Sequence, residues 1–322
     1  GNRLAESTYN NNGTLLRDIN RTYDELNRLI ETTGASGQRT SFTYDSNGNR
    51  TSSTDGNGNT KLYRIDLLDR TTQTEAAYAH NVHYRYDQRD NLSEVTDPRG
   101  LGTHYIINGF DELVTLNSPD TGISNYRYDS AGNRTLSTDA RGTSASYTYD
   151  ELNRPLQVTY PNTALNISYG YDQGSFGKGR LTSVTDASGA TLMDYDHRGN
   201  LVFEGRVTGD HDFNLSYEYN LANRITRITY PSGRTVNYSY DEAGRQIGIH
   251  TNGPEGSRSI ATDARYLPFG PATSLSLGNG IQMSASYDLD YRLASLTYGN
   301  ALNKSYNYDP AGNITGIEDQ NN

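Results

Sequence analysis

A chain of 322 residues with a net charge of −10, no Cys, no Trp and two Met excludes a disulfide framework, a thiol nucleophile and a thiolate metal centre. Leu, Ile, Val and Phe make up under a fifth of it, a share that alone points to disorder, but 27 Tyr and 32 Gly concentrate its apolar surface in one amphipathic aromatic. No run approaches the ~20 apolar residues of a membrane span, and the 28 basic residues, all Arg except Lys61, Lys178 and Lys304, form no patch, so neither membrane insertion nor nucleic-acid binding is expected.

In chain order, Gly1-Asn2-Arg3-Leu4 reads as the second half of a repeat, and the first methionine is Met193, so an internal piece of a longer protein is expected. A Tyr-Asp pair then recurs about every 21 residues, beginning at Tyr23, Tyr44, Tyr86, Tyr128, Tyr149, Tyr171, Tyr195, Tyr240, Tyr287 and Tyr308. Degenerate copies at Ile65, Phe110, Tyr219 and Tyr266 fill the gaps, giving about fourteen units in one array over 1–322.

Each unit predicts one β-hairpin. Aromatic residues two apart, such as Phe42 and Tyr44, Tyr126 and Tyr128 or Tyr147 and Tyr149, share one face of a strand. Asp then opens a type I turn and Gly three residues later supplies the positive φ that closes it through a bulge, as in Asp45 and Gly48, Asp129 and Gly132, Asp241 and Gly244, and Asp309 and Gly312. Asn replaces this Gly in the unit of Tyr149 and Asp150, as the next most tolerant residue. The repeat-defining residues are thus Tyr44, Asp45, Gly48, Arg50, Tyr128, Asp129, Gly132, Arg134, Tyr149, Asp150, Tyr240, Asp241, Gly244, Tyr308, Asp309 and Gly312, with the Arg after the turn (Arg50, Arg134, Arg154, Arg224, Arg245) expected to pair with nearby Asp.

The second strand of a unit, for example Leu181 to Val184, places two apolar residues three apart. Strict alternation puts them on opposite faces and a bulge puts them on one; both remain open at this point. Residues 248–271, with the longest spacing and Gly253-Pro254-Glu255-Gly256, predict an irregular unit or protruding loop.

Other constellations favour turns over chemistry. His80 and His83, three apart on a strand, face opposite ways and lack a third ligand. Asp55-Gly56-Asn57-Gly58-Asn59 lacks the distal Glu of a calcium loop, and Gly174 to Gly179 lacks a phosphate-loop spacing. The repeated Asp residues each open a turn, so no catalytic, metal or cofactor residue is expected, and the structural reading of the Tyr rows outweighs a carbohydrate-binding one.

The fold expected is all-β: tandem hairpins in one continuous antiparallel sheet of roughly 28 strands, on the order of 130 Å wide if unrolled, which twist forces to curl into a hollow shell or barrel wall about 40 Å across. A β-propeller is the alternative, since two hairpins make a normal blade, although the units show no alternation between inner and outer hairpins.

The motif Tyr-Asp-x-x-Gly-Asn-Arg, as in Tyr44 to Arg50 and Tyr128 to Arg134, followed by Leu-x-x-Val-Thr-Asp, resembles the YD repeat of the Rhs family over the whole chain. That family includes bacterial Rhs toxins, Tc-toxin C subunits and wall-associated proteins, and teneurins share the repeat. The resemblance implies a spiralling sheet that forms the shell of a secreted or cell-surface bacterial toxin, non-enzymatic in itself. Its partners would be an enclosed C-terminal toxin polypeptide, absent from this chain, and a delivery apparatus. Toxin members cut themselves near an Asp-Pro-x-Gly-Leu motif; Asp97-Pro98-Arg99-Gly100-Leu101 spells it but sits mid-array, where a strand-ending turn accounts for it. The alternative is a cell-surface adhesion array that binds glycans through outward-facing Tyr.

Overall fold

The computed structural model describes residues 1–76, 80–209 and 211–321. Among them are 29 β-strands and one 3-10 turn at Thr163–Leu165. All 29 strands belong to one sheet. Ladders join chain neighbours antiparallel, from β1 (Ala5–Tyr9) and β2 (Leu15–Tyr23) to β28 (Leu302–Tyr308) and β29 (Ile314–Asp319), and no ladder among the described residues joins β29 to β1. The sheet is therefore unclosed. The propeller alternative fails on the ladder: β3 (Leu29–Gly34) pairs β4 (Arg39–Tyr44), which pairs β5 (Arg50–Thr54), which pairs β6 (Thr60–Ile65), without the breaks that separate blades.

A bulge resolves the face of the second strand. Between β16 (Ile167–Tyr171) and β17 (Leu181–Asp186), Tyr171 lies opposite Leu181, Gly170 opposite Ser183 and Tyr169 opposite Val184. Thr182 is skipped, so both apolar residues face the two Tyr. The same slip sets Tyr219 against Ile225 and Tyr217 against Ile228, and Tyr149 against Pro155 and Tyr147 against Val158. A three-residue apolar spacing beside a two-residue aromatic spacing is thus one apolar face, with the bulge absorbing the odd residue.

That face is sheltered but thinly covered. Along β12 (Gly122–Tyr128), Tyr126 and Tyr128 are half-buried while Asn125 and Arg127 are exposed. Ala145, Val158 and Met283 are the buried apolar residues among those described. Cohesion comes from the ladder and from partial burial of Tyr rings rather than from a closed core.

Contacts divide the chain into two compact units. The first holds Gly1–Tyr84, Tyr240–Ile249 and Ser259–Asn322, the second Arg85–Ser239 and His250–Arg258. Within the first, late turns seat on early ones. Asp18 donates its N–H to the carbonyl of Leu289 at 3.3 Å, Ala35 and Gln38 donate to the carboxylate of Asp290 at 3.2 and 2.5 Å, and Asn57 donates to Asp309 at 2.8 Å. Gly56 abuts the Pro310 carbonyl so closely that a Cβ would collide with it. Residues 248–271 run through β23 (Gln246–Gly253) and β24 (Gly256–Tyr266), the latter at 11 residues the longest strand, with Gly256 to Ile260 exposed.

Candidate functional site

Each turn is built by its Asp. In the unit of Tyr128, Gly132 donates to the Asp129 carbonyl at 3.1 Å and holds φ +82°, while Asp129 Oδ1 accepts the N–H groups of Ala131 and Asn133, both at 2.9 Å. Asp45, Asp150, Asp241 and Asp309 close their turns alike, with Gly48, Gly244 and Gly312 at φ +94°, +81° and +87° and Asn153 at +60°. The carboxylates are held below their ordinary range. Asp196 falls to about 2, chiefly through the Asn200 amide, Asp309 to about 2 through Asn313 and then Asn57, and Asp172 to about 2 through Arg154. Such groups are committed acceptors and poor proton donors at neutral pH.

Neighbouring turns are linked by a code that the sequence reading missed. The residue four after Asp staples its own turn and also reaches the next one. Asn49 donates to Asp69 at 2.6 Å, Asn91 to Asp111 at 3.0 Å, Asn133 to Asn153 at 2.7 Å and Asn200 to Asn223 at 3.0 Å. The acceptors are the positive-φ residues of the following turn, at +57° to +62°. Asn or Asp stands there because its oxygen is needed, not only because it tolerates the conformation. Where the preceding unit carries Arg28 or Arg292 instead, the next turn has Gly48 or Gly312. The rule is not strict: Arg70 precedes a turn with Asp90 at φ +68°, and Arg154 donates to Asp172, itself at φ +67°.

In unit after unit the Tyr of the Tyr-Asp pair latches its hairpin to the one before. Tyr44 OH donates to the Leu29 carbonyl at 2.7 Å, Tyr128 to Leu113 at 2.9 Å, Tyr149 to Arg134 at 2.9 Å and Tyr308 to Leu293 at 2.8 Å. The β3–β4 ladder spans only Glu31 to Thr33, so Leu29 lies beyond it and its carbonyl would lack a ladder partner. The phenol supplies the donor, which Phe could not. Burial raises the Tyr128 and Tyr149 phenols above their ordinary value, against the pull of Arg134, and keeps them protonated as donors. Tyr240 also lies in strand β22 (Thr235–Tyr240), two residues after Tyr238.

The Arg expectation divides. Arg154 pairs with Asp150 at 2.6 Å and bridges to Asp172 at 2.7 Å, and Arg245 pairs with Asp241 at 2.7 Å. Arg50 and Arg134 do not pair with Asp. They stand one residue later, opposite Tyr44 and Tyr128 in register, and so point to the aromatic face. Arg134 lies 5.5 Å from the Tyr126 ring and 5.2 Å from that of Tyr147; Arg50 lies 5.7 Å from Phe42 and 5.0 Å from Tyr63.

Other motifs fall in turns. Asp97 closes its turn with Leu101 at 2.9 Å and accepts Arg99 Nε at 2.7 Å, so the Asp-Pro-Arg-Gly-Leu run is a hairpin end. Asp55 to Asn59 closes likewise, and Gly179 donates to Asp172 at 2.6 Å. Among the described residues no three His, Asp or Glu converge as a metal site, and His80 and His83 are both exposed.

The RHS Repeat family model matches residues 23–60, 128–165, 177–211 and 219–258. Double-stranded DNA deaminase toxin A of Burkholderia cenocepacia (strain H111) is 30% identical over 99 residues, covering 24% of this chain and 7% of that protein. A TcdB2-TccC3-Cdc42 crystal structure superposes with a TM-score of 0.84 at 15% identity, over 98% of this chain and 20% of the other. The Photorhabdus luminescens Tc holotoxin pore superposes at 0.83 and 16% identity, over 94% of this chain and 18% of that one. The chain thus spans a fifth or less of these proteins, and the structural likeness is one of fold. With the repeat read in the sequence, the hairpin seen in each unit and the family model agreeing, the chain belongs to the Rhs/YD-repeat family.

Proposed function

We propose that this chain is a wall segment of a secreted bacterial toxin shell, non-enzymatic in itself, whose sheltered aromatic face confines a toxin polypeptide carried elsewhere in the parent protein. The observation that carries this reading is the construction. A 29-stranded sheet has Ala145, Val158 and Met283 as its buried apolar residues among those described, so its ladder forms a wall and not the casing of a packed core. A face of half-buried Tyr, Ser and Thr holds an unfolded chain without the strong apolar adhesion that would trap it. The partners are the enclosed toxin and a delivery apparatus. The turn carboxylates support a structural role, since each is committed to backbone N–H groups.

The glycan-binding alternative needs outward-facing Tyr. The latch tyrosines instead lie half-buried with their hydroxyls donated to backbone carbonyls, which favours the wall. The test is to isolate the intact parent polypeptide and digest it with a broad protease. A cleaved C-terminal polypeptide that co-purifies and resists digestion until the wall is denatured is the expected result. A continuation into anchoring or binding modules with no retained cargo would make adhesion the better account.

A further inference from the structure

Arg50 and Arg134 break the grammar of the array. Fifth after the opening Asp, the other units carry neutral residues such as Leu29, Leu92, Leu113, Leu293 and Ile314, and Arg occurs only in these two. By register this position faces the Tyr row. Neither Arg has an ion-pair partner among the described residues, although Arg154 and Arg245, one position earlier in their own units, do. Each sits between aromatic rings of the flanking strands, Tyr126 and Tyr147 for Arg134, Phe42 and Tyr63 for Arg50. Rings on both sides limit the swing of a long side chain; one Nη of Arg50 donates a long bond to the Tyr63 hydroxyl at 3.4 Å, which leaves its other N–H groups, and the N–H edge of Arg134, available.

The surroundings extend the pattern. Beside Arg134 opens a cavity of about 340 Å³, lined also by Ser124, Ser137, Thr143 and Tyr160. Asp139 lines it too, but Arg141 engages that carboxylate at 2.9 Å, so it does not neutralise Arg134. At the other position Lys61 lies 5.4 Å from the same Tyr63 ring, adding a second cation. In a chain of net charge −10, Arg50 and Arg134 are two exposed cationic points on the aromatic face, held by ring contacts and without a carboxylate partner among the described residues.

We infer that Arg50 and Arg134, one in each compact unit, are each a docking point for a carboxylate side chain of a polypeptide bound to the aromatic face of that unit. The guanidinium fork takes a carboxylate through two parallel N–H bonds, and the hydroxyl of Ser124 offers a further donor beside Arg134, while that of Ser137 is shared with the Tyr147 hydroxyl at 3.0 Å. This rests on the wall reading above and names the chemistry by which the wall holds its cargo: acidic residues bind at fixed points, and the net negative charge repels the rest.

The experiment is fluorescence anisotropy of labelled oligoglutamate, oligolysine and a single-stranded RNA oligomer with the whole chain, at low and moderate salt. Oligoglutamate is expected to bind despite the net charge. R50Q/R134Q, which removes both docking points, is expected to weaken it at least about five-fold, the size of a single lost charge-assisted contact at an exposed site, and R50K/R134K to retain part of the binding. Circular dichroism melts of the variants check that the wall is intact, and R127Q, on the exposed face, serves as a control that leaves binding unchanged. Oligoglutamate binding that is absent, or indifferent to R50Q/R134Q, would overturn the inference, as would Arg-dependent binding of RNA alone. Protection of cargo in the parent polypeptide is a separate readout, so the docking points can fail while the wall stands.

Discussion

The side-chain amide of Asn57 donates to the carboxylate of Asp309 at 2.8 Å across 252 residues of sequence. Beside it, Gly56 lies against the Pro310 carbonyl with no room for a Cβ. Gly56 has no positive φ, so a side chain there meets a steric obstacle and not a conformational one. Gly56→Val is expected to cost about 1–3 kcal/mol by overpacking this seam. Urea unfolding checks it, together with faster amide exchange in the Asp309 turn.

The latch predicts a contrast within one unit. Tyr128→Phe removes the donor to the Leu113 carbonyl and is expected to destabilise by about 1 kcal/mol. Tyr126→Phe, on the same strand and face, has no such bond to lose and is expected to stay within about 0.5 kcal/mol. Equal effects in denaturant melts would show that the hydroxyls are incidental.

Turn glycines predict a ranking. Gly132 holds φ +82°, and sister units place Asn27 at +61° and Asn153 at +60° in the same position. Gly132→Val is expected to cost about 1–2 kcal/mol from the left-handed conformation alone, with Gly132→Asn clearly milder. Thermal midpoints of the two variants, measured side by side, decide it.

Acid sensitivity follows from the turn carboxylates. Their folded values lie below the ordinary 3.8, at about 2 for Asp172, Asp196 and Asp309. A depressed folded value means that the unfolded chain binds protons first as pH falls. The associated stability is therefore fully present well above pH 3.8 and is lost as pH drops from there through about 2. A melting temperature level from pH 7 to about 5 and falling below about 4 is expected, with a shallower fall for Asp196→Asn. A decline centred near pH 6 would point to histidine instead.

Hairpin register and turn type were legible because Tyr, Asp and Gly each have a local reason to stand where they do. The face of Leu181 and Val184 was not, because periodicity cannot say whether a strand slips; the skipped Thr182 decides it, and only pairing with Tyr169 and Tyr171 reveals it. The role of Arg was half legible. Charge suggested Asp partners, correct for Arg154, but a one-residue difference in position turns Arg134 onto the aromatic face. The seating of Asp309 on Asn57 had no sequence signal, since nothing local distinguishes Gly56 from other turn glycines.

The latch also gives the array a direction. Tyr128 finds its acceptor 15 residues upstream, and so do Tyr44, Tyr149 and Tyr308. A chain leaving the ribosome from its N-terminus therefore always has the receiving carbonyl already in place when the next hydroxyl emerges. Each course can set on the one below before the next is laid, whereas the contacts of Asp18, Gln38 and Asn57 with Leu289, Asp290 and Asp309 must wait for the far end of the segment.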